Sequence, residues 1–422
     1  MIKKRFVFIS ILTLLLGQFT YSQNNTNSPY TRFGYGEISN NYNGAQRAMG
    51  GTGIGSRVST HISPLNPASY SSVDSLTFMF DVGLSALYST FQQGDRKDES
   101  FNANLEYINF SFPLWKNVGF SAGVLPYSFA GYSFSNSRTL LLPNDIGHPD
   151  TVKVGRNYNG QGGVSQVYSG ISMKFLNHFS VGVNGYYMWG SITNNRSATF
   201  TATDFSGTIY PSYEQNEIKV NKFKLRYGLQ AFNTFNKKHA LTFGAYFEPK
   251  TTMKNDTNSY KYSGSVIGDT IAKVKGFDFP MNFGVGINYV YDNKLTIALD
   301  YTFQKWSDAQ FFGIKDTLNN SYKLSAGMEY YPNSLAKSYF KHMRYRVGFS
   351  LSNPYYNKII NSNQKSYSLT AGVALPLRNN KTVLNVSFEY GNVGSTGLID
   401  EKYYKLTFNA NFNENWFFKR KL

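Results

Sequence analysis

The sequence predicts an all-β fold: an antiparallel transmembrane β-barrel of about fourteen strands, preceded by an N-terminal segment that does not alternate. Three observations predict it. From Leu76 onward, apolar residues recur with a period of two rather than 3.6. Every second connection between these segments is about three residues long, while several of the others are extended. The chain opens on an export signal, yet no later apolar run is long enough to cross a bilayer as a helix.

Composition agrees. The 422 residues include 37 Gly, 33 Tyr and 35 Phe. Aromatic residues at 17% beside a mean hydropathy of -0.36 mean that apolar residues are diluted among polar ones, which excludes a helical membrane protein. Apolar residues at 41% exclude disorder. With 0 cysteines, disulfide scaffolds, Cys-ligated zinc, iron–sulfur clusters, thiol catalysis and a lipid-modified cysteine are excluded as well. The net charge of +17, from 42 Lys and Arg against 25 Asp and Glu, is scattered along the chain. It points to outer-membrane lipid and lipopolysaccharide as partners and not to nucleic acid.

Taken in order, residues 1–22 read as a secretory signal peptide: Lys3, Lys4 and Arg5 precede an apolar stretch at 6–16, and small or polar residues follow to Ser22. A membrane anchor would need roughly 18 apolar residues. Cleavage after Ser22 removes three basic residues, leaving 42 - 3 = 39 against 25 acidic, or +14. Residues 23–74 do not alternate, and residues 75–422 form the barrel.

The strands are expected near residues 76–91, 101–114, 117–134, 163–175, 178–192, 216–235, 238–251, 278–292, 294–306, 319–331, 339–352, 365–377, 380–391 and 402–418. In one of them Leu295, Ile297, Leu299, Tyr301 and Phe303 alternate with Thr296, Ala298, Asp300 and Thr302. Elsewhere the wet face is rich in Gly, Ser and Asn, as in Asn282, Gly284, Gly286 and Asn288, which suits a lumen better than the face of a soluble sandwich. Short turns at Asn117, Asn177, Lys237, Asp292 and Asn379 are expected to be periplasmic, and long loops at 135–162, 193–215 and 252–277 external. Export plus a barrel places the protein in the outer membrane of a Gram-negative (diderm) bacterium, with both termini periplasmic. The aromatic end Trp416-Phe417-Phe418 resembles the signal by which barrel-assembly machinery recognises its clients during biogenesis, although Lys419-Arg420-Lys421-Leu422 follows it.

A Lys or Arg facing lipid at mid-bilayer costs about 2–4 kcal/mol. Parity instead turns Lys222, Lys224, Arg226, Arg344, Arg346 and Lys405 inward, together with Asp81, Asp300, Glu329 and Glu389. A structural ion-pair network is the favoured reading of this set. None of the 5 histidines sits mid-strand beside a serine or aspartate partner, and no ligand set for a metal is spaced along the chain, so neither an enzyme nor a cofactor or metal is expected.

Within residues 23–74, Gly44-Ala45-Gln46-Arg47-Ala48-Met49-Gly50-Gly51-Thr52-Gly53-Ile54-Gly55 precedes Asn66-Pro67-Ala68, and the barrel follows directly. Small residues permit tight turns and close approach to a barrel wall, and Asn-Pro fixes an extended turn. A phosphate loop is excluded, because the Lys and Ser/Thr of that motif are missing. The segment resembles the hatch of the FadL-type long-chain fatty acid transporter family, which implies that residues 23–74 form an N-terminal hatch, or plug, inside the barrel lumen. That resemblance implies passive uptake of long-chain fatty acids or other hydrophobic compounds, with lateral release through a kink in strand 3. Gly123 and Pro126 fall in that strand. Pro126 lacks a ladder donor and so marks either a portal or an inert bulge. Asn66, Pro67 and Ala68 carry the hatch motif. Arg47, Arg57 and Arg156, outside the expected strands, are candidate partners for a ligand carboxylate or members of structural ion pairs. The alternative role is a non-transporting barrel that serves as a shuttle or accessory subunit of an outer-membrane secretion or barrel-assembly complex, with other outer-membrane proteins as partners. An apolar lumen favours transport, and a charged, plugged lumen favours the accessory role.

Overall fold

Alternation across a pleated strand converts the period-two pattern into a wall that is apolar outside and polar inside. The computed structural model describes residues 25–142, 150–202, 210–253, 257–263, 276–332, 338–377, 382–394 and 398–415. The expected signal peptide and residues 416–418 lie outside the described residues.

Fourteen antiparallel strands form the wall: β1 (Thr77–Gln93), β2 (Arg96–Trp115), β3 (Val118–Leu142), β4 (Asp150–Phe175), β5 (Phe179–Ala202), β6 (Ser212–Phe235), β7 (His239–Glu248), β8 (Met281–Tyr291), β9 (Leu295–Lys305), β10 (Ser321–Tyr330), β11 (Arg344–Ser352), β12 (Lys365–Pro376), β13 (Val383–Gly394) and β14 (Asp400–Asn415). Each pairs with the next, and β14 returns to β1, from Asp400 opposite Gln92 to Asn415 opposite Thr77. Closure removes the sheet edges that lipid cannot hydrogen-bond. Outward residues such as Phe243, Val285, Leu299 and Leu324 are exposed, while Asn288, Asp300 and Ser325 on the inner face are buried. Three of the tight turns carry paired positive φ angles, at Leu176–Asn177, Asn236–Lys237 and Asp292–Asn293, within three-residue connections closed by the pairs Phe175–Phe179, Phe235–His239 and Tyr291–Leu295.

The expected strands are all present, but the loops differ. Residues 135–162 and 193–215 are mostly strand: β3 runs to Leu142, β4 starts at Asp150, β5 reaches Ala202 and β6 starts at Ser212. Beyond the bilayer no face meets lipid, so the apolar alternation that marks a strand fades while the ladder continues. The β1–β2 connection is a two-residue turn at Gly94-Asp95 rather than a gap from 92 to 100, because charged Lys97, Asp98 and Glu99 continue the strand into water. The region 252–277 is not wholly loop either. Thr257–Ser263 pairs with β6, and Phe277–Phe279 pairs with Thr251–Met253. Before β11, Tyr339–His342 is a single helical turn instead of strand.

Residues 25–76 precede the wall. They hold 3-10 turns at Pro29–Arg32 and Pro67–Ser72, a two-residue strand Glu37–Ile38 and a one-turn helix Gly44–Arg47. Asn43 caps that helix, and Gln46 returns the bond to the Asn43 backbone.

Candidate functional site

Inward-facing charges of the wall meet residues of the segment 25–76 that precedes it. Asp300 accepts from the backbone N–H of Gly53 (2.6 Å) and Ile54 (2.8 Å). Arg226 donates to the carbonyls of Pro64 (3.2 Å) and Leu65 (3.0 Å), and it shares Glu248 with Lys224. Arg47 pairs with Glu106, which also meets Lys405 at 2.6 Å. Arg344 and Arg346 both pair with Glu329, at 2.8 and 2.6 Å. A polar interior removed from water is tolerable only when charges are paired in this way.

Close backbone approach explains the small residues. Gly50 has φ +68, and a Cβ there would lie 2.5 Å from the Phe349 carbonyl oxygen. Only glycine adopts that conformation without strain.

The sequence-derived candidates occupy distinct places. Arg47 is buried on Glu106. Arg57 stacks 4.0 Å from the Phe232 ring and donates to Ser71 and Ser180, with no carboxylate among its recorded partners. Burial holds its guanidinium down to about 10. Asn66 is wholly buried, caps the turn that Pro67 begins, and donates to the Ile54 carbonyl at 2.8 Å. The Ala68 carbonyl accepts from Ser180. Arg156 corrects an expectation: it lies within β4, opposite Asn136 and Ala198, and is exposed on the external ribbon rather than outside the strands. It is far in register from Ser180, which pairs lower down with Lys174.

Gly123 and Pro126 flank a break in the wall. The β2–β3 ladder runs from Trp115–Val118 to Ile108–Val124 and stops. A Cβ on Gly123 would lie 2.5 Å from the Ile108 carbonyl oxygen. Between Pro126 and Ser128 the β3–β4 register slips at a bulge. Beyond it, Glu37–Ile38 pairs with Phe129 and Ser128 on the edge that β2 has left.

Two cavities flank the N-terminal segment. One of about 250 Å³ is lined by Glu37, Glu389 and Glu401 together with Arg47, Lys323 and Lys405. The other, about 370 Å³, is lined by Asp81, Arg344, Arg346 and an Asn row at 409, 411 and 413. On the external side Tyr35, Phe277, Phe279, Trp306 and Tyr355 pack as a buried aromatic cluster.

The sequence reading missed Glu106 and Glu248. Glu106 keeps the parity of the buried Asn102 and Asn104, and the alternation switches just after it, where the β1–β2 register slips: Gly83 faces Tyr107 and Leu84 faces Leu105, so Glu106 and Tyr107 both turn inward. Glu248 shares the parity of Gly244 and was legible. Among the described residues, no group of three or more His, Asp or Glu is placed to hold a metal.

Comparison with solved structures places the fold. The Ralstonia pickettii toluene transporter TbuX is 16% identical over 88% of this chain and 98% of its own, with a TM-score of 0.58. The Pseudomonas putida toluene transporter TodX is 14% identical over 91% and 100%, with a TM-score of 0.57. A Pseudomonas aeruginosa FadL homologue is 11% identical over 90% and 99%, also with a TM-score of 0.57. At these identities the likeness is one of fold. None of the curated proteins compared with this chain matches it. The family model that matches is BamG, over residues 1–422. The FadL-type resemblance thus holds for the architecture, and the chain itself belongs to the BamG family.

Proposed function

We propose that this protein is an outer-membrane barrel acting as an accessory subunit of a barrel-assembly or secretion complex, exported by the signal at 1–22, with residues 23–74 as a fixed plug. The observation that carries the reading is the lumen. Carboxylate–cation groups centred on Glu106, Glu248 and Glu329 tie the wall together, and Arg47 and Arg226 join it to residues 25–76. An apolar solute entering there would displace paired charges, each costly to strand. BamG membership supports the same reading. Depletion of the protein in its own host tests it. Other outer-membrane barrels are expected to fall in abundance, and the tagged barrel extracted in mild detergent is expected to co-purify with the central assembly subunit. Normal barrel levels together with lost fatty acid uptake would overturn the reading.

A second reading has one specific observation in its favour, the end of the β2–β3 ladder at Val124 beside Pro126. In this reading the barrel takes up long-chain fatty acids or other hydrophobic compounds and releases them sideways at strand 3. Transport by barrels of the same fold supports it. Arg57, whose recorded partners are neutral, is then the best placed of the three arginines for a ligand carboxylate. Uptake of a fluorescent fatty acid by Pro126→Ala and Arg57→Gln cells separates the two readings: reduced uptake favours transport, and unchanged uptake favours the accessory role.

A further inference from the structure

β2 pairs with β1 along nearly its whole length, from Arg96 opposite Gln93 to Ser111 opposite Met79, but with β3 only from residue 108 onward. Above the break the edge of β3 is covered from within the chain. Ser39 N–H donates to the Tyr127 carbonyl at 2.8 Å, Glu37–Ile38 pairs at 128–129, and Thr31 Oγ1 bonds both the carbonyl and the N–H of Gly131. Among the described residues no strand covers the matching edge of β2 at 101–107.

The outward face of that edge is apolar. Phe101 and Leu105 project outward with 65% and 50% of their surface exposed, and the charged residues Asp98 and Glu99 follow just above. Lipid offers nothing to a strand's unpaired N–H and C=O groups. On the inner side of the seam Asn104 Nδ2 donates to the Asn25 carbonyl at 2.8 Å, while Asn104 Oδ1, Ser128 Oγ and both polar atoms of Gln166 find no partner within the protein, although these side chains are only 7%, 1% and 1% exposed.

We infer that the open edge of β2 at residues 101–107 receives an extended segment of a partner protein, which adds there as a strand. This deepens the accessory reading and rests on it. The two faces specify the guest. Beside Phe101, Ala103 and Leu105 its residues are apolar, and the alternate residues are small and polar, to meet Asn104 and the inner seam. An alternating, barrel-type strand has that chemistry, and its backbone supplies the missing row of bonds. An acyl chain satisfies the outer face alone.

The test uses the full chain in its own membrane, with the photo-crosslinking residue p-benzoylphenylalanine at Ala103 or Leu105. A control carries it at Leu299, whose strand is paired on both sides through Ile287 and Ala326. Heat-dependent electrophoretic mobility verifies that each variant folds. Ala103 and Leu105 are expected to capture a protein segment several-fold more than Leu299, and peptide mass spectrometry is expected to identify it as an alternating strand. Adducts only to lipid, adducts only to residues 25–40 of the same chain, or yields equal to the control would overturn the inference. If the barrel still co-purifies with the assembly complex in those cases, the accessory reading stands without this contact.

Discussion

Glu248 holds two cations, Lys224 and Arg226, in a lumen where neither is more than a few per cent exposed. Removing one member of such a group leaves the rest buried without compensation, at a cost of about 3–5 kcal/mol. Glu248→Gln is therefore expected to lower the temperature at which the folded electrophoretic band converts to the unfolded one, and Lys219→Gln on the exposed ribbon is expected to leave it unchanged. Gly50→Ala should also lower it, since an L residue in the left-handed region costs about 1–2 kcal/mol before the contact with the Phe349 carbonyl is counted. Most inward charges were legible from parity alone. Glu106 was legible from one side only: it keeps the parity of Asn102 and Asn104, whereas Tyr107, Asn109 and Ser111 follow the opposite parity beyond the bulge. The arginines were legible as candidates but not as partners, since Arg47 finds Glu106 only once the barrel has closed.

At the scale of elements, period-two alternation located every wall strand but stopped short where strands leave the bilayer. Segments 135–142 and 150–162 read as loop because water lies beyond the lipid and the greasy face ends, whereas the ladder between them is continuous from Ser135–Asn157 to Leu142–Asp150. Protease added to intact cells is expected to spare both segments and also residues 191–201, as paired backbone resists cleavage. Cuts within 150–162 would mean that this ribbon does not persist in the membrane. Pro126 was legible as a ladder defect, but the departure of β3 from β2 was not. That departure depends on residues 31–39 taking the place of β2 beside a strand that lies roughly 90–100 residues further along the chain.

The whole molecule shares one wall design with proteins described as toluene transporters and with a FadL homologue, at identities of 11–16%. Alternation specifies a wall, and it is nearly silent about what the lumen does. Family membership therefore separates from architecture here: the sequence motif at 44–70 led to the FadL type, while the matching family is BamG. A filled lumen has a direct electrical consequence. The purified barrel in a planar bilayer is expected to show no steady open channel, and a variant lacking residues 25–74 that still folds should conduct. Conductance by the full chain equal to that of the deletion would show that the N-terminal segment does not block the lumen.

The wall is also uneven in height. β3 to β6 run 25, 26, 24 and 24 residues, whereas β7 to β13 run 9 to 12. At about 3.3 Å per residue the difference is roughly 40 Å along the strand direction. Such a cylinder has a front and a back, and turning it about the membrane normal is no longer a neutral motion. A neighbour with a bulky external part can come up flush only against the low side, while along β3 to β6 a tall screen stands in its way. Because the β2–β3 seam lies at the border where the screen begins, anything that reaches the seam does so from one direction. The rim thus gives the barrel a compass bearing in the plane of the membrane.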